Sequence, residues 1–262
     1  MELHNTIFTV LNGAALLGWS SILLLLLSFT FNVESLVSAL PVHLPIILLY
    51  CLEGICLVEV GRIALGQLKG NLLLGCVLHA IRITCLVYIL SDGLQLLLLP
   101  SLRPPSSSSH YFLEEDFEKR KSIILHTSLI LYSWTITEVC RYPMYLFPSS
   151  DMARKVRLVV PIVSFPVGCA LEIQSAFRVA RAELFGGGDS SGNDGSKDDI
   201  ILATSWVKIV VLCMVILING LLGPTLAYPS IVRKGLPVLM GRKSVMNKRP
   251  KREWMDNTSK IW

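Results

Sequence analysis

The stretch IFTVLNGAALLGWSSILLLLLSFT, from Ile7 to Thr30, decides the fold because it carries no charged side chain along its whole length. A helix needs about 20 mainly apolar residues to cross the roughly 30 Å hydrocarbon core of a bilayer. The residues before this run carry only Glu2 as a charge, which is unlike the basic start of a secretory signal peptide. We therefore predict a retained transmembrane helix here.

Further apolar windows of the same kind follow along the chain. We place six spans, at 7–30, 42–65, 72–100, 122–147, 157–181 and 200–227. The runs are too long and too uniform for barrel strands, which alternate in polarity. Only 16% of the residues are charged, against about 25% in soluble domains. These features predict an all-α, integral membrane bundle of about six transmembrane helices.

Polar connectors and a basic tail organise the rest of the chain. A Pro/Ser tract with a charged cluster fills 103–121, and GGGDSSGNDGSKDD at 186–199 has the composition of a flexible linker. Lys and Arg outnumber acidic residues in the tail, which the positive-inside rule places in the cytosol together with the N-terminus. We predict a membrane domain over 1–228 and a basic cytosolic tail over 229–262, which contacts anionic membrane lipid rather than nucleic acid.

The seven cysteines predict neither disulfides nor zinc, because each lies in an apolar run and none forms a Cys-x-x-Cys pair. Cys76 and Arg82 have the Cys-x5-Arg spacing of a phosphatase loop. The intervening VLHAI lacks the glycines whose backbone amides would cradle a phosphate, so phosphatase chemistry is not expected. We expect no metal and no cofactor.

Ionisable side chains inside the predicted spans need a partner or a purpose, because a charge at mid-span costs about 2.5–3.5 kcal/mol. These residues are Glu53, Glu59, Arg62, Arg82, Glu138, Arg141, Glu172 and Lys208. Glu59, Arg62 and Lys208 fall near helix ends, and we expect their charges to snorkel toward the interface.

The fourth span reads WTITEVCRYPMY from Trp134 to Tyr145. Helical spacing places Glu138, Arg141, Tyr142 and Tyr145 on one side, where the two charges can neutralise each other. A structural ion pair would not require two tyrosines on the same stripe. This segment is compatible with a functional site and with a scaffold.

The fifth span reads FPVGCALE from Phe165 to Glu172. Seven residues turn a helix through about 700°, so Phe165 and Glu172 share a face, about 10 Å apart along the axis. Pro166 and Gly168 loosen the helix between them. A buried carboxyl beside such a break suits a general acid, although packing and transport features have the same appearance.

Several patches resemble the motifs of one membrane enzyme family. Asn12 with Gly18-Trp19 is similar to Asn-x5-Gly-Trp, and His79 with Arg82 stands where the family has Gln-x-x-Arg. VEVGRIALG at 58–66 is similar to Leu-Glu-Val-x-His-x-x-x-Gly, with arginine in place of the histidine.

Two further patches carry the resemblance into the fourth and fifth spans. Residues 134–142 are similar to Trp-Ser-x-x-Glu-x-x-Arg-Tyr, and Arg157 followed by FPVGCALE is similar to Arg-x7-Tyr-Pro-x-Gly-x3-Glu. In family order over about residues 10–175, the chain thus resembles the membrane-bound very-long-chain 3-hydroxyacyl-CoA dehydratases, also called protein-tyrosine-phosphatase-like proteins. The resemblance implies six spans, cytosolic termini and residence in the endoplasmic reticulum membrane.

The resemblance also implies an activity, the third step of very-long-chain fatty acid elongation. A hydro-lyase of this kind removes water from a long-chain (3R)-3-hydroxyacyl-CoA to give the trans-2-enoyl-CoA. Its expected partners are the elongase, the ketoacyl reductase and the enoyl reductase. The chain ends SKIW, so Lys260 alone remains of the family's common dilysine retrieval signal.

The family's catalytic pair is a tyrosine and a glutamate, and here Phe165 replaces the tyrosine whereas Glu172 is retained. Tyr142, Tyr145 and Ser164 are the nearest substitutes for the missing phenol by position. Other residues are expected to support the substrate pocket, namely Arg82, Glu138 and Arg141.

Two alternatives to a working dehydratase follow from the residues. Loss of the phenol would leave a catalytically impaired scaffold subunit of the elongation complex. An unrelated transporter could also use intramembrane charges beside Pro and Gly interruptions. The absence of matched broken helices in two halves of the sequence argues against the transporter.

Overall fold

A computed structural model of the protein describes residues 2–31, 44–67, 71–98, 113–185 and 195–240. Within these ranges the chain is helical and contains no strand. Six helical stretches are long and apolar enough to cross a membrane, namely Thr6–Thr30, Leu44–Ala64, Leu72–Ile89, Arg120–Leu146, Asp151–Phe185 and Trp206–Leu239. The predicted all-α membrane bundle is confirmed.

The helices follow one another without any other regular structure in the described ranges. They are α1 (Glu2–Thr30), α2 (Leu44–Ala64), α3 (Leu72–Thr84), α4 (Ser91–Leu98), α5 (Leu113–Arg141), α6 (Pro143–Leu146), α7 (Asp151–Phe185), α8 (Gly195–Leu217) and α9 (Tyr228–Leu239). Two π-helical segments extend these helices. The first π segment (Cys85–Ile89) continues α3 and is separated from α4 by a bend at Leu90, whereas the second π segment (Ile218–Ala227) joins α8 to α9 without a break.

Several helices extend beyond the predicted windows. The end of the predicted linker, 195–199, is helical, and the predicted domain boundary at 228 falls inside a continuous helix that runs to Leu239. A helix satisfies its own backbone hydrogen bonds outside the hydrocarbon core as well as inside it, whereas apolar windows mark only the inner part. The Pro/Ser tract up to residue 112, the linker at 186–194 and the tail from residue 241 lie outside the described residues.

The centre of the bundle is the pair α5 and α7, which pack along each other. Helix α1 lies along α5, and α2 packs on α1 and α3, while α8, the second π segment and α9 lie along α7. Glycine allows two of these approaches. A Cβ at Gly18 would lie 2.6 Å from the side chain of Leu52, and one at Gly168 would lie 2.5 Å from Ser133 Oγ.

Helix α7 stays continuous although Pro161 and Pro166 both lie inside it. Proline is tolerated in membrane spans because neighbouring groups satisfy the freed backbone atoms. Pro166 frees the carbonyl of Ile162, four residues before it. Close to that point, Ser133 Oγ on α5 donates a hydrogen bond to the Ser164 carbonyl at 2.8 Å. The two helices are therefore tied together beside the FPVGCALE segment.

Candidate functional site

Two groups of buried polar side chains lie next to each other inside the bundle. The carboxyl site consists of Glu172, Trp134 and Asn219. The charge cluster consists of six ionisable side chains, namely Glu53, Glu59, His79, Arg82, Glu138 and Arg141. Both groups draw residues from several spans, so neither exists before the helices assemble.

The carboxyl site holds both oxygens of Glu172. Trp134 Nε1 on α5 donates to Glu172 Oε1 at 2.6 Å, and Asn219 Nδ2 in the second π segment donates to Oε2 at 2.6 Å. All three side chains are buried, with relative exposures of 7% or less. A buried carboxyl is thereby fixed in position by two uncharged donors on two different spans.

Phe165 and Glu172 lie on the face of α7 that packs against the second π segment. A Cβ at Gly223 would lie 4.0 Å from Phe165 Cε1 and 3.6 Å from Cys169 Sγ, and Asn219 reaches Glu172 one turn away. The shared face expected from the seven-residue spacing is therefore present. Cys169 lies between the two predicted catalytic positions.

Arg82 is the centre of the charge cluster. Its Nη1 lies 2.6 Å from Glu138 Oε1 and 3.5 Å from Glu53 Oε1. His79 Nδ1 lies 3.0 Å from Glu53 Oε2. Each of these four side chains is at most 5% exposed, so the charges are compensated by one another rather than by water.

Arg141 extends the charge cluster toward α2. Its Nε lies 3.1 Å from Glu138 Oε2, and its Nη2 lies 2.6 Å from Glu59 Oε2. The Glu138–Arg141 contact is an ion pair by distance but is not aligned as a hydrogen bond. The predicted pairing of Glu138 with Arg141 is present, although Arg82 makes the closer contact with Glu138.

The prediction that the Glu59 side chain would snorkel toward the membrane interface is wrong. Its carboxylate turns into the bundle and binds Arg141, because the partner stands on another span that a single-helix view does not include. Arg62 places its guanidinium carbon 3.4 Å from the centre of the Phe8 ring. Lys208 pairs with Glu183 near the end of α7.

The predicted substitutes for the missing phenol bind elsewhere. Tyr142 is fully buried, and its hydroxyl lies 3.0 Å from Arg141 Nη2 and 3.4 Å from Cys56 Sγ. The Tyr145 hydroxyl accepts a hydrogen bond from Arg157 Nη2 at 3.3 Å. Each tyrosine hydroxyl therefore has an arginine as a hydrogen-bond partner, rather than Glu172.

Ser164, the third predicted substitute, faces α5. Its hydroxyl lies 2.9 Å from Thr137 Oγ1 and 3.2 Å from the Val160 carbonyl. This hydroxyl is one position before Phe165 and points to a different helix from the one that Phe165 contacts. The structure therefore brings Glu172 and Phe165 to one face without placing a predicted hydroxyl between them.

Trp134 joins the carboxyl site to the charge cluster. The guanidinium carbon of Arg82 lies 5.4 Å from the centre of the Trp134 ring, a cation–π distance. The same indole donates its N–H to Glu172. Residues of the third, fourth, fifth and sixth spans therefore meet in one continuous buried network.

The donor set of a metal site occurs within the charge cluster. One ligand atom from each of Glu53, Cys56 and His79 lies within 4.8 Å of the others. Arg82 and Arg141 approach the same atoms, at 3.5 Å from Glu53 and 3.8 Å from Cys56 Sγ. The protein's own cations therefore occupy the surroundings that a metal ion would need, and we assign no metal there.

Asn219 is a site residue that the sequence did not single out, and the sequence named Glu53 as needing a partner without indicating which one. Asn219 stands alone as an amide in the apolar run ILINGLLGP, and a lone polar residue in a span is a usable signal. The pairing of Glu53 with His79 joins two spans and leaves no comparable local pattern. Neither a family model, nor a curated protein, nor a solved structure matches this chain.

Proposed function

We propose that this protein is a very-long-chain 3-hydroxyacyl-CoA dehydratase of the endoplasmic reticulum membrane, with both termini in the cytosol. The observation that supports the proposal most directly is the carboxyl site. Glu172 is buried, oriented by two hydrogen bonds and located on the same face of α7 as Phe165. These are the two positions at which the family to which the chain is similar has its catalytic pair.

The convergence of the motifs in space gives further support. Arg82 comes from one motif patch and Trp134 and Glu138 from another, yet Arg82 contacts both of them, and Trp134 binds Glu172. A dehydratase needs such rigidity because a general acid or base acts efficiently only when it is held at the reacting bond. The charge cluster supplies that rigidity by locking the third and fourth spans together.

A direct assay tests the proposal. Purified full-length protein in detergent, given a long-chain (3R)-3-hydroxyacyl-CoA, should form the trans-2-enoyl-CoA. Glu172→Gln should abolish turnover and leave the fold intact, because a glutamine can keep the Trp134 bond while the Asn219 amide turns to accept its N–H. Unchanged turnover in Glu172→Gln would exclude the carboxyl site as the catalytic centre.

Phe165 favours a second candidate, a scaffold subunit of the elongation complex. The phenylalanine cannot transfer a proton, and the hydroxyls of Tyr142 and Tyr145 bind arginines. A scaffold would show no turnover with or without Glu172→Gln, and it would still copurify with elongase or reductase subunits. Turnover and copurification, measured for the natural protein and for Glu172→Gln, therefore distinguish a dehydratase from a scaffold subunit.

A further inference from the structure

We propose that Glu172 alone performs both proton transfers of the dehydration, and that Asn219 is the positioning residue that lets it do so. The inference rests on the proposed dehydratase function and concerns how that function survives Phe165. It follows from the chemistry of the two hydrogen-bond partners and from the composition of the face that they share.

The two partners of Glu172 differ in what they can do. The indole N–H of Trp134 is a donor only, so it holds Oε1 in either protonation state of the carboxyl. The amide of Asn219 contains both a donor and an acceptor. It donates to a carboxylate Oε2 as observed, and after a half-turn about its last bond it can accept an O–H from the protonated acid.

This arrangement keeps the carboxyl hydrogen-bonded whether or not it holds a proton. A buried polar group that lost its partner on protonation would resist the change. With one fixed partner and one that can rotate, both carboxyl oxygens of Glu172 keep a hydrogen-bond partner whether or not a proton is bound. That property is required of a single group that acts first as base and then as acid.

The second π segment is what places Asn219 at this point. π-helical turns are rare and occur frequently at functional sites, because the wider turn shifts the direction of the side chains that follow. Asn219 is the second residue of this segment, and the neighbouring Gly220 and Gly223 face Ile173 and Cys169 of α7. The amide therefore reaches a carboxyl on the neighbouring span.

The chemistry balances with Glu172 as the only proton carrier. A carboxylate oxygen removes the proton from C2 of the 3-hydroxyacyl thioester, and the C2–H electron pair becomes the C2–C3 double bond. The C3–O bond breaks with its electrons on oxygen, which takes the same proton from Glu172 and leaves as water. The carboxylate is restored, and no oxidant, reductant or further acid is consumed.

The pH profile of the natural protein is the first test. One ionising group should give a kcat/KM that rises with pH to a plateau, whereas an acid and a base together give a bell-shaped curve. Cys169→Ala provides the matched control, because this thiol is on the same face between Phe165 and Glu172. Turnover should persist in Cys169→Ala. A bell-shaped profile, or loss of turnover in Cys169→Ala, would overturn the single-carboxyl inference while leaving the dehydratase function standing.

Variants of Asn219 form the second test. Asn219→Leu keeps the approximate shape without any hydrogen bond and should lower kcat about 10²-fold with little change in KM, since one positioned donor contributes on that order. Asn219→Thr restores a group that both donates and accepts, and it should recover most of the rate. If Asn219→Leu fails to fold, Asn219→Ala serves in its place, and wild-type kcat in either variant would overturn the role of Asn219. Absence of turnover in the natural protein itself would instead reject the proposed function.

Discussion

At the scale of single residues, Phe165 is the position at which the chain departs from the Tyr-Pro-x-Gly-x3-Glu motif that it resembles. Its ring lies against the second π segment near Gly223, where the absence of a side chain leaves the ring edge next to backbone. The neighbouring Cys169 and Glu172 follow on the same face. A side chain at 165 therefore belongs to the surface that includes the Glu172 carboxyl, even though phenylalanine itself contributes only apolar contact.

Phe165→Tyr should raise kcat, because a phenol on this face gives the reaction a second proton-transferring group. A positioned acid or base typically contributes about 10²–10⁴ in rate, so an increase of at least about 10-fold is expected. The measurement is enoyl-CoA formation by purified protein, with Phe165→Leu as the control that changes the ring without adding a hydroxyl. A Phe165→Tyr protein no faster than the natural one would show that position 165 does not face the reacting atoms.

A second prediction at the scale of single residues concerns the charge cluster and the stability of the folded protein. Removing one member leaves its partner buried and uncompensated, which costs about 3–5 kcal/mol. Arg82 contacts Glu138 at 2.6 Å and is less exposed than Arg141, so Arg82→Ala should destabilise the protein more than Arg141→Ala. Unfolding in mixed detergent micelles measures both.

The double-mutant cycle of Glu138→Ala with Arg141→Ala then gives the coupling energy. Because Arg82 remains beside position 138, we expect non-additive losses in this cycle and a larger coupling in the cycle of Glu138 with Arg82. Strictly additive losses in both cycles would contradict the observed ion pairs.

At the scale of helices, the sequence allowed the spans to be predicted because each is a long apolar run with no alternation. The spacing of Phe165 and Glu172 on α7 also allowed their shared face to be predicted, since a regular helix fixes that relation. The two π segments and the partner of Glu59 were not predictable in this way. A π turn inside an apolar run changes no residue type, and Glu59 finds Arg141 only after two distant spans pack together.

Two glycines of the last span give a matched test of how closely it packs on α7. A Cβ at Gly235 would lie well inside van der Waals contact with the carbonyl oxygen of Leu158, which is backbone and cannot move aside. A Cβ at Gly223 would meet Cys169 Sγ at an ordinary 3.6 Å. Gly235→Ala should therefore destabilise the protein by about 1–3 kcal/mol, as overpacking does, whereas Gly223→Ala should be nearly neutral. Equal melting temperatures in detergent for the two variants would contradict this packing.

At the scale of the whole molecule, the bundle divides into two halves around the α5–α7 pair, and the charge cluster lies in one of them. Arginines and carboxylates lock α2, α3 and α5 together through the charge cluster. Glycine contacts instead join α7 to the last span, at Gly220, Gly223 and Gly235. The carboxyl site lies where the two halves meet, which is why Glu172 has one partner from each.

The number of spans fixes the last prediction, which concerns orientation. If each of the six candidate spans found in the described residues crosses the membrane once, the first and last ends of the bundle lie on the same side. Lys and Arg are concentrated after the last span, so the positive-inside rule places that side in the cytosol.

A reporter fused after Trp262 should therefore be digested by protease added to sealed microsomes, and the natural Asn257-Thr258-Ser259 sequon should stay unglycosylated. A matched sequon inserted in the connector at 103–112 should be glycosylated, because that connector faces the lumen in the same arrangement. Protection of the C-terminal reporter, or sugar on Asn257, would require an odd number of crossings or an inverted bundle.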